Sequence, residues 1–191
     1  IETVARYANV QLIDFHEPLY RYPFMLPDAV HPTVEGAGIL AGVVYSAITG
    51  DYGGLRLSEI YSDNMVLQCG CPLDIHGVAD AGEKVTVSIA GQTESAKAGA
   101  NGKWAVCLKP LQPGGPHTLT VSTGKRRLHF ENVLVGEVWL CSGQSNMEFM
   151  MKEGVDGKVD IPQSGNAGIR LFDMKARWRT NAVKWDASVP V

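Results

Sequence analysis

The sequence lacks a strong excess of charge of either sign. Its 191 residues carry 17 Lys and Arg against 20 Asp and Glu, a formal net charge of −3. Nucleic-acid binders usually show a basic face and a high pI, so this balance argues against that class. No block of like charge is long enough to form an interaction tail. No run of 18 apolar residues is present, so no membrane-spanning helix is expected. The longest candidate, residues 39–48, is interrupted by Gly42 and Ser46. Cysteine is scarce as well. Cys69, Cys71, Cys107 and Cys141 are too few for a disulfide framework at this length. Cys69-Gly70-Cys71 has one intervening residue, where common zinc motifs have two or more. Buried or half-buried thiols on strands are the expectation. No initiator Met and no signal peptide opens the chain, which reads as a mature or trimmed piece with its compartment left open. No internal repeat or low-complexity segment appears.

What is present is a chain longer than one typical domain and shorter than two. Hydrophobic residues make up 45%, enough for a packed core, and 21 Gly with 10 Pro imply many turns and much β-structure. Three textures follow one another. In the first, Val10 to Phe15 reads as a short strand. Pro18, Pro23, Pro27 and Pro32 exclude a long helix after it. From Thr33, the residues Ile39, Leu40, Val43, Val44 and Ala47 recur at helical spacing, and Gly50 stands where a helix cap belongs. Strand, loop and helix make half of an α/β unit.

Asp51-Tyr52-Gly53-Gly54 reads as a linker or boundary. Beyond it come short strands at regular spacing, over 56–61, 65–68, 73–78, 84–90, 93–98, 103–108, 117–122 and 127–130. Asp63-Asn64, Ala81-Gly82, Ala90-Gly91, Asn101-Gly102 and Pro113-Gly114-Gly115 supply turns, and Asn101-Gly102 is a hairpin signal. Val85, Val87 and Ile89 alternate with Thr86 and Ser88, so one face is buried. The pattern suits a small β-sandwich.

The third texture starts with Val133 to Cys141, nearly continuous apolar sequence that predicts a strand buried on both faces, as in a parallel sheet. It runs into Ser142-Gly143-Gln144-Ser145-Asn146-Met147, after which Met147, Met150 and Met151 are spaced like a helix face. A further strand is predicted over 169–174.

A buried strand ending in a small-residue turn at a helix start is a recurrent place for a nucleophile, which makes Ser145 the sharpest candidate. A Ser hydroxyl needs a nearby base, and backbone N–H groups at a helix start would stabilise an oxyanion. Gly-x-Ser-x alone is equally a helix cap. Asp28-Ala29-Val30-His31-Pro32 is the second candidate. Its spacing lets the Asp28 carboxylate orient His31 and leave the far nitrogen free as a general base. A surface Asx-turn before proline is the alternative. His16 reads as a loop hydrogen-bonder, and His76, His117 and His129 as solvent-facing or satisfied strand residues. No His, Cys and carboxylate set has convincing metal spacing.

Residues Val135 to Glu148, with Ser142-Gly143-Gln144-Ser145-Asn146 at their centre, resemble the nucleophile block of the sialate O-acetylesterase family in the SGNH/GDSL hydrolase superfamily. The run LSEIYSDNMVLQ from Leu57 to Gln68, Gly77 to Glu83, Asn101-Gly102-Lys103-Trp104 and Gly114-Gly115-Pro116-His117 resemble that family's accessory β-domain. His76 stands where an aromatic residue, usually Trp, is expected, and Cys69 and Cys71 also depart from the pattern. Leu12-Ile13-Asp14 followed by Asp28-Ala29-Val30-His31-Pro32 and a Gly-rich helix resembles the last block of an SGNH hydrolase, which supplies the Asp and His of a triad.

The resemblance implies a mixed fold: a central all-β sandwich flanked by two partial α/β hydrolase segments of the flavodoxin-like SGNH type. The implied domains are 1–52, the end of one SGNH-like domain; 53–135, the accessory sandwich; and 136–191, the start of a sialate O-acetylesterase domain. In a single SGNH domain the Ser block precedes the Asp-His block, and here the order is reversed. A tandem arrangement, with Ser145 and His31 in different catalytic domains, is the simplest account. One composite site is the rival.

The implied activity is hydrolysis of O-acetyl esters of sialic acid, or of another acetylated sugar such as acetylxylan, through an acyl-enzyme on Ser145. The resemblance implies that neither metal nor cofactor is required. Asp28 and His31 are the implied acid–base pair, with Gly143, Gln144 and Asn146 lining or supporting the turn. The implied partners are an O-acetylated glycan and the remainder of a longer chain, with no nucleic acid and no membrane. The implied setting is secreted, periplasmic or lysosomal. Two other readings stay open. The sandwich binds carbohydrate through Trp104 and Tyr61, although a core role is expected for both; or the chain is a linker fragment without activity of its own.

Overall fold

A computed structural model describes residues 7, 8, 10, 12–20, 22–28 and 30–172. Its centre is a two-sheet sandwich of eight strands: β1 Arg56–Leu57, β2 Val66–Gln68, β3 Leu73–Val78, β4 Lys84–Ile89, β5 Gln92–Lys97, β6 Lys103–Leu108, β7 Gly114–Ser122 and β8 Arg127–Gly136. One sheet has the order β1-β3-β6 and the other β2-β8-β7-β4-β5. Every pairing is antiparallel except that of β2 with β8.

Period-two alternation builds the core. Trp104, Val106 and Leu108 of β6 point inward with Leu73 and Ile75 of β3. From the other sheet come Val85, Val87, Ile89, Leu119, Val121, Val133 and Val135. Each such side chain contributes roughly 1.5–3 kcal/mol through burial. Outward positions on the same strands, among them Asp74, His76 and Cys107, are exposed. Cys107 and Cys141 are therefore exposed thiols rather than buried ones, while Cys69 and Cys71 are half-buried; all four are free. The inner face of β6 is already filled by its three apolar residues, so Cys107 faces out.

Of the predicted turns, Pro113-Gly114-Gly115 is not one: Gly114 and Gly115 open β7, where Gly114 pairs with Val135 of β8. Ala90 and Gly91 take φ of 48° and 79° and join β4 to β5 as a two-residue hairpin loop. Asn101-Gly102 also turns, but it carries the chain from the five-stranded sheet into the three-stranded one instead of closing a hairpin. Gly102 has φ of 72°, and a Cβ there would sit 2.5 Å from the Tyr52 ring, so the corner requires glycine on both counts.

The predicted boundary at residues 51–54 is fastened, not loose. Asp80 Oδ1 accepts the N–H groups of Tyr52 and Gly54, each at 3.0 Å. Tyr52 Oη donates to the Ala100 carbonyl at 2.8 Å, and Ala81 N donates to the Gly50 carbonyl at 2.9 Å. The two backbone donors hold the Asp80 carboxyl below its usual range, with Lys125 adding to this.

Before the sandwich lie α1 His16–Tyr20 and α2 Val34–Thr49. Thr33 caps α2 by accepting Gly36 N–H at 3.1 Å, and Gly50 ends it in the left-handed region with φ of 74°. The strand predicted over 10–15 is not formed among the described residues, because no strand lies beside it to complete a ladder. After the sandwich, β8 stops at Gly136 rather than at Cys141. Trp139 and Leu140 are 82% and 92% exposed. A strand buried on both faces needs neighbours on both edges, and no described strand flanks residues 137–141. The rest is three-ten turns and a short α3, Gly157–Asp160. Leu171 forms an isolated bridge within the strand predicted over 169–174, of which 173 and 174 lie outside the described residues. No helix among the described residues is long and apolar enough to cross a membrane.

Leu119 is fully buried between the sheets. Leu119→Ala is expected to lower the unfolding free energy by about 2–5 kcal/mol in urea denaturation, through lost burial and the cavity left behind.

Candidate active-site residues

Ser145 opens a three-ten turn, Ser145–Glu148, nine residues past the end of β8. The predicted helix is thus a single tight turn. Two backbone bonds hold it: Met147 N–H to the Gln144 carbonyl at 2.9 Å, and Phe149 N–H to the Asn146 carbonyl at 3.4 Å. Gly143 packs closely beneath it, for a Cβ there would lie 3.2 Å from Met147 Cβ. Gly143, Gln144, Ser145 and Asn146 are all exposed, and Gln144 makes no side-chain cap bond. Ser145 is not sealed in the core. Two shallow depressions lie elsewhere, one lined by residues of β4, β5 and β7 that include Ser88 and Thr120, the other by Gly50, Asp80 and Lys125; Ser145 lines neither.

Asp28 and His31 do meet. One carboxylate oxygen, Oδ1, accepts the N–H groups of Val30 at 3.0 Å and His31 at 2.7 Å. The other, Oδ2, is 2.6 Å from His31 Nδ1. An ionised carboxylate only accepts, so Nδ1 carries the proton and Nε2 is left as the basic nitrogen. The backbone N–H of His31, its ring and the N–H of Val30 together lower the Asp28 pKa to about 2. The pair is open to solvent, with side chains 81% and 54% exposed for His31 and Asp28. Among the described residues no hydrogen bond or ion pair joins this loop to the Ser145 turn.

Of the remaining histidines, His16 opens α1 rather than lying in a loop, its N–H donating to Asp14 Oδ1 at 2.8 Å, and His76, His117 and His129 lie on strands. His76 Nδ1 is 3.3 Å from Tyr61 Oη and lies edge-on to its ring. His129 Nδ1 is 3.2 Å from Thr120 Oγ1. Trp104 is buried in the core and Tyr61 packs against it, so Trp104 offers no exposed platform for a sugar. Among the described residues no group of three or more His, Cys, Asp or Glu is placed to hold a metal ion.

Sequence reasoning passed over the side chains that attach the Ser145 segment to the sandwich. Gln68 Oε1 accepts Val138 N–H at 2.9 Å, and its Nε2 donates to Glu137 Oε2 at 3.2 Å. Arg170 bonds Asn64 and Asn132. The available signal was a single cation inside the apolar run Ile169 to Phe172, together with two acidic–Asn pairs, Asp63-Asn64 and Glu131-Asn132.

No protein-family model matches the chain. Among curated proteins, it is 35% identical over 135 residues to the sialate O-acetylesterase of Rattus norvegicus, a match covering 63% of this chain and 24% of that protein. The sialate O-acetylesterase of Homo sapiens is 36% identical over 109 residues, covering 50% of this chain and 20% of that protein. Four curated homologues of this chain are named sialate O-acetylesterase. The chain spans a fifth to a quarter of the length of these curated relatives. Among solved structures, a carbohydrate acetylesterase from Xanthomonas citri superposes with a TM-score of 0.63 at 31% identity, covering 71% of this chain and 33% of that one. The relatives thus include the sialate O-acetylesterases of mammals and a bacterial carbohydrate acetylesterase.

The Asp28 carboxyl has a depressed pKa, so the order it lends the loop is complete above about pH 4 and is lost as pH falls through about 2. The Val30 and His31 amide resonances are expected to titrate with a midpoint near that lower value, and Asp28→Asn is expected to abolish the transition.

Proposed function

We propose that this chain is part of an esterase that removes O-acetyl groups from sialic acid or a related sugar, with Ser145 as nucleophile. The observation that carries the reading is a solvent-open serine in a tight turn directly after the sandwich, in a chain whose homologues are sialate O-acetylesterases. In the reaction Ser145 Oγ attacks the acetyl carbonyl while a histidine takes its proton. The ester C–O bond then breaks, and the imidazolium protonates the departing sugar hydroxyl. Water, deprotonated by the same imidazole, attacks the acetyl-serine, releases acetate and restores the hydroxyl. Backbone N–H groups of the Ser145 turn are the natural oxyanion donors, with Gly143 giving the turn its close packing and Gln144 and Asn146 flanking the nucleophile.

In this reading the Asp28–His31 pair belongs to a second, upstream hydrolase unit, and the units are 1–52, 53–135 and 136–191. The reversed order of the Ser and Asp-His blocks and the absence of any bond between them among the described residues favour this over one composite site. The exposed apolar side chains of Val138, Trp139, Leu140, Phe149 and Met150 favour a Ser145 unit completed by further chain. A glycan-facing setting, secreted, periplasmic or lysosomal, goes with this substrate class.

Hydrolysis of p-nitrophenyl acetate tests the proposal. The 191-residue chain alone is expected to stay at the rate of the blank, while a longer parent containing it turns over. Ser145→Ala in that parent is expected to lower kcat about a thousandfold or more. His31→Ala is expected to leave turnover at Ser145 unchanged; loss of turnover with His31→Ala as well as with Ser145→Ala would favour the composite site.

A further inference from the structure

We propose that Gln68 and Arg170 are positioning residues that hold the Ser145-bearing segment on the sandwich from its two ends, an inference that rests on Ser145 being the nucleophile. The segment begins where β8 ends. Parallel register sets Gln68 level with Gly136. From there its side-chain amide accepts Val138 N–H at 2.9 Å and donates to Glu137 Oε2 at 3.2 Å. A third bond, to its neighbour's carbonyl at Cys69 (3.3 Å), fixes the amide itself. The chain is thus tied down at the first two residues after the strand.

The far end is tied by Arg170. Its Nη1 donates to the backbone carbonyls of Asn64, at 3.0 Å, and Asn132, and its Nη2 donates to Asn132 Oδ1 at 3.0 Å. The socket has bonds of its own that do not involve the arginine. Asn64 and Asn132 both have left-handed backbones, φ 67° and 54°. Asn132 Nδ2 donates to Asn64 Oδ1 at 2.8 Å. Asn64 N–H donates to the Glu131 carbonyl at 3.0 Å, and Glu131 N–H to Asp63 Oδ1 at 2.7 Å. The register between β7 and β8 slips here: Leu119 faces Phe130 while His117 faces Val133. Two residues of β8, Glu131 and Asn132, thus oppose one of β7. That is a β-bulge, which takes the carbonyl of its extra residue out of the ladder. Three acceptors in a fixed cluster match the planar fork of a guanidinium, and a single ammonium matches them poorly.

Between these anchors the Ser145 turn has little of its own to hold it. Its two backbone bonds are local, and Ser145 Oγ has no hydrogen-bond partner among the described residues. Pinning both ends of a connecting segment removes much of its conformational freedom. A nucleophile displaced by about 1 Å loses rate steeply, so anchors remote from the hydroxyl bear on catalysis.

Hydrogen exchange on the 191-residue chain tests the anchors without reference to activity. Arg170→Ala is expected to raise exchange across residues 137–171 by about tenfold or more while amides of β4 and β7 keep their protection. Arg170→Lys is expected to behave like Arg170→Ala. Gln68→Ala is expected to raise exchange mainly at the Val138 end. Asn132→Gly keeps the left-handed backbone and removes one acceptor, so an intermediate effect is expected. In a longer, active parent, Arg170→Ala is expected to lower kcat with KM held within about twofold. Unchanged exchange in 137–171, or equal loss of protection in the sandwich strands, overturns the proposal. Should the parent show no turnover at Ser145, the esterase reading fails while the exchange result still decides the anchors.

Discussion

The parallel pairing of β2 with β8 is the contact on which the rest of the molecule depends. It closes the five-stranded sheet at one edge with Val66 against Leu134 and Leu67 against Val135. Met65 and Leu67, with Val133 and Val135, bury the corresponding end of the core. The same register brings the two asparagines together before the pair and sets Gln68 beside the exit from β8 after it. Everything beyond Gly136, including the Ser145 turn, therefore leaves the sandwich from a point fixed by main-chain bonds and by apolar burial together. A one-residue slip in this pairing would turn its buried side chains to the opposite face and separate Gln68 from Val138.

A comparable device holds the other side. The carboxylate of Asp80 gathers the N–H groups of Tyr52 and Gly54 on one oxygen, and Lys125 lies 3.6 Å from the other and 3.4 Å from Glu83. Directly after these glycines Leu55 enters the core. The sandwich is in this sense a bracket with two fastened arms, one leading back to the capped helix α2 and the Asp28–His31 loop, the other leading on to Ser145.

What could be read from the sequence follows from where the determining forces lie. Strands with a strict period of two and a turn at each end, such as Leu73–Val78 and Lys103–Leu108, were legible to the residue, because alternation and turn chemistry are local. So were Thr33 and Gly50 at the ends of α2, since capping is local too. Among the described residues, the strand predicted over 10–15 and the 137–141 end of the strand predicted over 133–141 were not realised, because an apolar run becomes a strand only beside a partner. The proximity of Asp28 and His31 was legible from their spacing in a non-helical loop. The sockets for Arg170 and for the backbone of residues 52–54 were not, because their acceptors are main-chain carbonyls and carboxylates brought together by register rather than by sequence distance. Cys107 illustrates the same limit: its exposure follows from which face of β6 its neighbours had already filled.

The chemistry proposed for Ser145 combines two independent lines: a hydroxyl left open by the fold, and homologues named sialate O-acetylesterase. The most direct measurement is to treat a longer parent of this chain with a fluorophosphonate and locate the adduct by peptide mass spectrometry. A phosphonylated oxygen on Ser145, with labelling suppressed by an O-acetylated sialoside, is the expected result. An adduct on another serine, or none under conditions where the parent hydrolyses acetate esters, would contradict it.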